Sequence, residues 1–88
     1  MIKLASASLL RDKILRLAFS DGSEGDLNFA PILARDTDLT RPLAQPEYFG
    51  GFFLELGALS WPNGLEFSAR SLHERLKQSG TLRHHATA

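Results

Sequence analysis

The tetrapeptide Trp61-Pro62-Asn63-Gly64 constrains this chain more than any other feature of its sequence. Proline fixes one backbone angle and removes a donor, while Asn and Gly tolerate the corners that follow, so the run demands a tight turn. On its N-terminal side, "ALSW" places Leu59 and Trp61 on one face of an extended segment. Trp61 therefore ends a strand inside the core. On its C-terminal side, Leu65 and Phe67 lead into "SARSLHERLKQSG". Ser68 is an N-cap residue and Gly80 a C-terminal stop. Leu72 and Leu76, four apart and extended by Ala69, form a stripe for burial. Phe67 before the cap and Leu72 after it are spaced for a hydrophobic staple. The segment reads as strand, turn and helix, with the helix near 68–79.

The preceding residues alternate as strands do. Residues 2–8 and 13–19 read as two strands around "LRDK". In the second, Leu15, Leu17 and Phe19 share one face and Ile14, Arg16 and Ala18 the other. Asp21-Gly22 opens the turn cluster "DGSEG", which favours a hairpin, and "DLNF" at 26–29 is the returning strand. Asn28 is placed to cap a helical turn through Pro31. A polar connection over 34–42 follows, and Pro46 opens a second single turn that delivers Tyr48 and Phe49 inward. "GGFFLELG" at 50–57 is the clearest strand, with Phe52, Leu54 and Leu56 on one face and Phe53 and Glu55 on the other, and Gly57 turns it into "ALSW". The pattern predicts an α+β fold: a small antiparallel β-sheet, short helical turns and one C-terminal α-helix. It forms a single domain over residues 1–80, followed by a disordered tail over 81–88.

Composition narrows the function classes. The chain has 88 residues and no cysteine, which removes disulfide scaffolds, thiol catalysis and thiolate metal sites. No run approaches the roughly 20 apolar residues of a membrane span, and Arg11, Asp12 and Lys13 interrupt the N-terminal apolar stretch too early for a signal-peptide core. A cytoplasmic protein with no membrane partner is expected. Formal net charge is zero but segregated: +3 over residues 1–20, −6 over 21–66 and +3 over 67–88. A neutral total argues against general phosphate-neutralising nucleic-acid binding and leaves a local basic patch open.

No coherent catalytic or metal-binding set emerges, and no cofactor is expected. "HERLK" at 73–77 begins like a zinc-protease helix, but Lys77 stands where the second histidine is required. "GSEG" at 22–25 resembles a phosphate-clamping loop, but Asp21, Glu24 and Asp26 crowd it and would repel phosphate. Those three acids lack the ligand spacing of a calcium loop. Asp36 and Asp38 fit a solvated loop. His84 and His85 are adjacent in the polar tail and fit weak, incidental metal binding. Arg70, His73 and Lys77 lie on one flank of the last helix, where phosphates or an acidic partner would meet them, unless Arg70 pairs with Glu74 on an ordinary solvated face. Phe53 on its strand, continued by Ile14 and Ala18, suggests a second apolar sheet face, covered either by a partner or by another part of this chain.

In order, these elements resemble the bacterial domain-of-unknown-function family 2442. The resemblance rests on Phe19, Asp21 and Gly22; on Asp26 and Leu27; on Pro42, Leu43 and Phe49; and on Trp61 through Glu66. It covers nearly the whole chain apart from the tail, with Glu66 where the family often has Asp. It implies a small α+β fold with an antiparallel sheet and a helix. It implies no assigned reaction, and it carries the association of some members with toxin–antitoxin-style gene pairs or an appended helix-turn-helix. Together the residues and the resemblance lead to an expected non-catalytic protein-interaction domain, antitoxin-like within a gene pair, that binds another protein or itself as a homodimer. Its expected surface is Ile14, Phe53, Arg70, His73 and Lys77. Asp21, Gly22, Asp26, Trp61, Pro62, Asn63 and Gly64 are expected to be structural. A nucleic-acid-associated domain using Arg70, Lys77 and Arg83, and a small ligand- or metal-binding protein, are the alternatives.

Overall fold

The computed structural model of the chain describes residues 1–84. In chain order its elements are β1 (Leu4–Arg11), β2 (Ile14–Phe19), β3 (Ser23–Asn28), α1 (Ala30–Leu33), a 3-10 turn (Arg41–Ala44), α2 (Pro46–Phe49), β4 (Phe53–Glu55), β5 (Ala58–Ser60), β6 (Glu66–Phe67), α3 (Ala69–Ser79) and β7 (Arg83–His84). The fold is α+β as expected, but it holds two antiparallel sheets where one was expected. Their strand orders are β1-β2-β3-β7 and β4-β5-β6.

Period-2 alternation builds the first sheet. Leu15 and Leu17 are fully buried and Phe19 nearly so, while Arg16 between them is exposed. Asp12 and Lys13 form a two-residue loop between paired Arg11 and Ile14, so β1 runs further than its sequence suggests. Asp12 takes the left-handed conformation (φ 46°) that short polar side chains tolerate. At the next turn Gly22 has φ 86° and donates to the Phe19 carbonyl at 3.1 Å. Asp21 braces that turn, accepting from the Ser23 backbone N–H at 2.9 Å and from the Ser23 hydroxyl.

Pro62-Asn63-Gly64 is a three-residue hairpin loop between Trp61 and Leu65. Trp61 N–H donates to the Leu65 carbonyl at 2.9 Å, Gly64 N–H to the Trp61 carbonyl at 3.0 Å, and Gly64 sits at φ 92°. Asn63 has two tasks. Its Oδ1 accepts from Leu65 N–H at 3.2 Å, and its Nδ2 donates to the Leu39 carbonyl at 2.9 Å, which ties the polar connection to the hairpin. Trp61 is buried, and its indole N–H donates to the Phe49 carbonyl at 2.9 Å. The rings of Phe29, Phe49, Phe52 and Phe67 surround it at centroid distances of 5.8 to 6.3 Å. Such pairs contribute about 0.5–1.5 kcal/mol each beyond their burial. This one side chain therefore holds the irregular middle of the chain against the second sheet.

Helix α3 follows its sequence signals. Ser68 Oγ accepts from Ser71 N–H at 3.1 Å, Gly80 closes the helix at φ 73°, and Ala69, Leu72 and Leu76 are buried. It crosses β3 at Gly25. A Cβ there would lie 2.9 Å from the Thr81 carbonyl oxygen and 3.0 Å from a Leu76 methyl. The glycine is thus required by close approach.

Four expectations are corrected. Only Phe53–Glu55 of "GGFFLELG" is a strand, and Leu54 and Leu56 are exposed. Gly50 and Gly51 still donate to the Pro46 and Tyr48 carbonyls as α2 closes, and Leu56 is consumed by the next turn. Strand β5, central in its sheet and buried at all three residues, takes the core position instead. Asn28 does not occupy the N-cap of α1, which is Phe29; its Oδ1 accepts from Ala30 N–H at 3.0 Å one residue earlier. The expected tail is ordered through His84, because Arg83 and His84 pair with Glu24 and Ser23 to make β7. The rest of that tail, His85 included, lies outside the described residues. Finally, Ile14, Ala18 and Phe53 do not share an apolar face, as the next subsection describes.

Candidate functional site

Two surfaces flank α3, one at each end. The first is the tip of the β4–β5 hairpin. Glu55 and Ala58 pair across a two-residue loop, Leu56-Gly57, with φ 52° and 80°. Two successive positive φ values are the geometry of a type I′ turn, which prefers Asn-Gly or Asp-Gly. A leucine in this conformation carries a steric cost of about 1–2 kcal/mol. Leu56 is also 94% exposed, and its neighbours Phe53 and Leu54 are 42% and 36% exposed. Beside the tip lies a cleft of about 400 Å³, lined by apolar residues, Leu56 among them, and by the charged Lys3, Glu66 and Arg70. Gly57 joins the tip to β1 through Leu4 N–H, which donates to its carbonyl at 2.9 Å.

Phe53 thus belongs to an exposed apolar tip, but Ile14 does not. Ile14 and Ala18 lie on the outer face of the first sheet, on either side of Arg16. That face is a charged ladder. Arg16 grips Asp26 with both nitrogens of its fork, at 2.9 and 3.2 Å, and approaches Glu24 at 4.0 Å. Arg83 reaches Asp26 from β7 at 3.9 Å. The Arg16 contact holds the Asp26 carboxyl below the usual carboxylate range. These are exposed or half-exposed pairs of modest stabilising value, and they make the face polar where an apolar one was expected.

The second surface lies between the C-terminal half of α3 and β7. A cleft of about 310 Å³ is lined by His73, Lys77, Gly80, Leu82 and His84. His73 is the fixed member. Its Nε2 lies 3.1 Å from Asp21 Oδ2, and its ring meets Phe19 edge-on at 5.0 Å. Asp21 is in turn held by Ser23. The Ser23 hydroxyl, the Ser23 backbone N–H and His73 together pull its carboxyl down to about 2. Serine, aspartate and histidine thus form a chain, but the carboxylate is in the middle. A nucleophilic triad needs the imidazole between hydroxyl and carboxylate, so this order orients His73 and activates no nucleophile.

The remaining sequence candidates disperse. Arg70 is exposed on α3 and forms no ion pair with Glu74 among the described residues. Arg83 points to the outer ladder, away from Lys77, which splits the basic set Arg70, Lys77 and Arg83. Asp36 and Asp38 both bind Arg41, each at 3.1 Å, and are exposed. No three His, Asp or Glu residues among the described residues are grouped to hold a metal ion. No helix among them is long and apolar enough to cross a membrane.

Two residues escaped the sequence reading. Alternation puts Leu56 on a strand face with Phe52 and Leu54, although a residue directly before Gly57 at a hairpin corner is itself a turn signal. Leu82 was assigned to a tail, and nothing local marks its return to β3. Comparison with family models, with curated proteins and with solved structures found no match.

Proposed function

We propose that this chain is a non-catalytic protein-interaction module that docks through the tip of the β4–β5 hairpin, and that its first partner is a second copy of itself. Leu56 carries the reading. It is held at positive φ and almost wholly exposed, so it costs stability within the monomer and contributes no burial there. Strain of this kind is retained where something outside the local structure uses it. The self-pairing form is supported by the neighbouring cleft. Leu56 and the mixed apolar and charged hollow that it helps to line lie on one surface, as a two-fold interface requires, where each copy offers the same patch. Lys3 and Arg70 around it balance Glu55 and Glu66, so two copies meet without net repulsion.

The resemblance to family 2442 agrees with this reading. Its matching positions Asp21, Gly22, Asp26, Trp61, Asn63 and Gly64 are occupied with turns, pairing and core contacts. An antitoxin-like role in a gene pair, in the cytoplasm, is the family-level form of the same proposal. Sedimentation over a range of concentrations tests it. Wild type is expected to self-associate, and Leu56→Asp and Phe53→Glu each to weaken that association by about tenfold or more. A monomeric wild type that retains a cellular partner through Leu56 would replace the second copy with that partner. Association unchanged in both variants would defeat the hairpin-tip reading.

A further inference from the structure

We propose that the cleft between α3 and β7 is a binding site for a small ligand carrying a phosphate-type oxyanion, held by His73, Lys77 and His84. The carboxylate that touches a residue of this cleft, Asp21, is already engaged by Ser23 and His73, and Asp26 and Glu24 meet Arg16 on the opposite face of the sheet. The nitrogens on the cleft walls are not so engaged. Lys77 Nζ, the second ring nitrogen of His73 and both ring nitrogens of His84 have no hydrogen-bond partner among the described residues. Side chains from two elements, α3 and β7, therefore line one hollow, and of these three only His73 meets a carboxylate among the described residues, that of Asp21.

The site is also built in advance. His73 is only 19% exposed at its side chain, and the Asp21 carboxylate and the Phe19 ring set its orientation. A carboxylate hydrogen-bonded to one ring nitrogen fixes the orientation of the imidazole. His84 is fixed by the pairing of β7 with Ser23. The end of α3 would ordinarily repel an anion through its free carbonyls. Here two of the last four are covered: the Leu76 carbonyl accepts from Thr81 N–H at 3.0 Å and from Ser79 Oγ at 3.1 Å, and the Lys77 carbonyl from Gly80 N–H at 3.2 Å.

Size and surroundings choose the ligand. About 310 Å³ is at the lower end of small-molecule pockets. Leu82 supplies one apolar wall, suited to an organic fragment next to the oxyanion. A nucleic-acid backbone fits less well, because a track of phosphates needs a continuous basic line and Arg83 is turned to the opposite face of the sheet.

Titration with inorganic phosphate and with phenyl phosphate, followed by amide chemical shifts and melting temperature at constant ionic strength, tests the site. Saturable shifts confined to His73, Lys77, Leu82 and His84 are expected. Phenyl phosphate should bind more tightly than phosphate, and Lys77→Ala should weaken both about tenfold or more. Arg75→Ala, on the same helix but outside the cleft, should not. Lys77 is exposed, so its replacement leaves the fold intact. No saturable response up to about 10 mM ligand, or a response that chloride reproduces, would overturn the site. Tight binding of a single-stranded oligonucleotide that needs Arg83 would overturn it in favour of nucleic acid. The hairpin tip lies at the other end of α3, so Leu56→Asp should leave these titrations unchanged.

Discussion

Replacing Leu56 with asparagine should make the isolated domain more stable while weakening its association. The turn at Leu56-Gly57 requires positive φ at both positions, and asparagine accepts that region far more readily than leucine. The left-handed penalty for leucine is about 1–2 kcal/mol, of which asparagine should remove about 1 kcal/mol. Little opposes the gain, since 94% of Leu56 is exposed and almost no burial is given up. For a domain of this size, about 1 kcal/mol raises the melting temperature by roughly 4–8 °C. The measurement is thermal unfolding of both proteins at a concentration low enough to keep them monomeric, because association would itself stabilise wild type. Repeating it at high concentration should narrow or reverse the difference as wild type gains its contact. A Leu56→Asn melting temperature equal to or below wild type under monomeric conditions would refute the argument, because it would mean that Leu56 contributes to the monomer.

Two further outcomes follow from geometry already described. Asp21 has a folded-state pKa of about 2 against an ordinary 3.8, so it contributes stability that is fully present above 3.8 and is lost as pH falls towards 2. Asp21→Asn should therefore flatten acid unfolding in that window, measured by chemical denaturation at a series of pH values. An unchanged pH dependence would show that the Ser23 and His73 contacts do not form in solution. At Gly25, a valine side chain would meet the Thr81 backbone as well as Leu76. Gly25→Val should lower stability by about 1–3 kcal/mol, read from the urea midpoint, and a neutral result would mean that α3 does not pack so closely on β3.

Local signals made much of the fold legible in the sequence. Ser68 and Gly80 bound α3 as they should, because capping chemistry acts within a few residues. Pro62, Asn63 and Gly64 turned the chain for the same reason, and the Leu15, Leu17, Phe19 alternation marked the buried face of β2. Failures came where competition between segments decides. "GGFFLELG" has better strand alternation than "ALSW", yet "ALSW" takes the central place because the glycines at 50 and 51 finish a helical turn and Leu56 is needed at a corner. Ile14 and Ala18 looked like part of an apolar face because alternation cannot show that Arg16, Asp26 and Glu24 would be brought side by side across two strands. The cleft was only half visible. The stripe of Arg70, His73 and Lys77 is a matter of helical spacing, but its partners Asp21 and His84 are 52 and 11 residues away from His73, and only tertiary structure joins them.

The pairing of β3 with β7 also has a consequence for synthesis. The β1–β2–β3 meander involves only near neighbours in sequence and can form early. The outer edge of β3 must wait for Arg83 and His84, and Gly25 must wait for α3. At about 5–20 residues per second, that delay is roughly three to twelve seconds. During it, a growing chain displays an open strand edge to every other nascent polypeptide nearby. Glu24 and Asp26 lie on that strand, and charged side chains on an unpaired edge discourage foreign strands from adding to it. Glu24 and Asp26, which later meet Arg16 and Arg83, are thus also the charges that this edge carries while it is open.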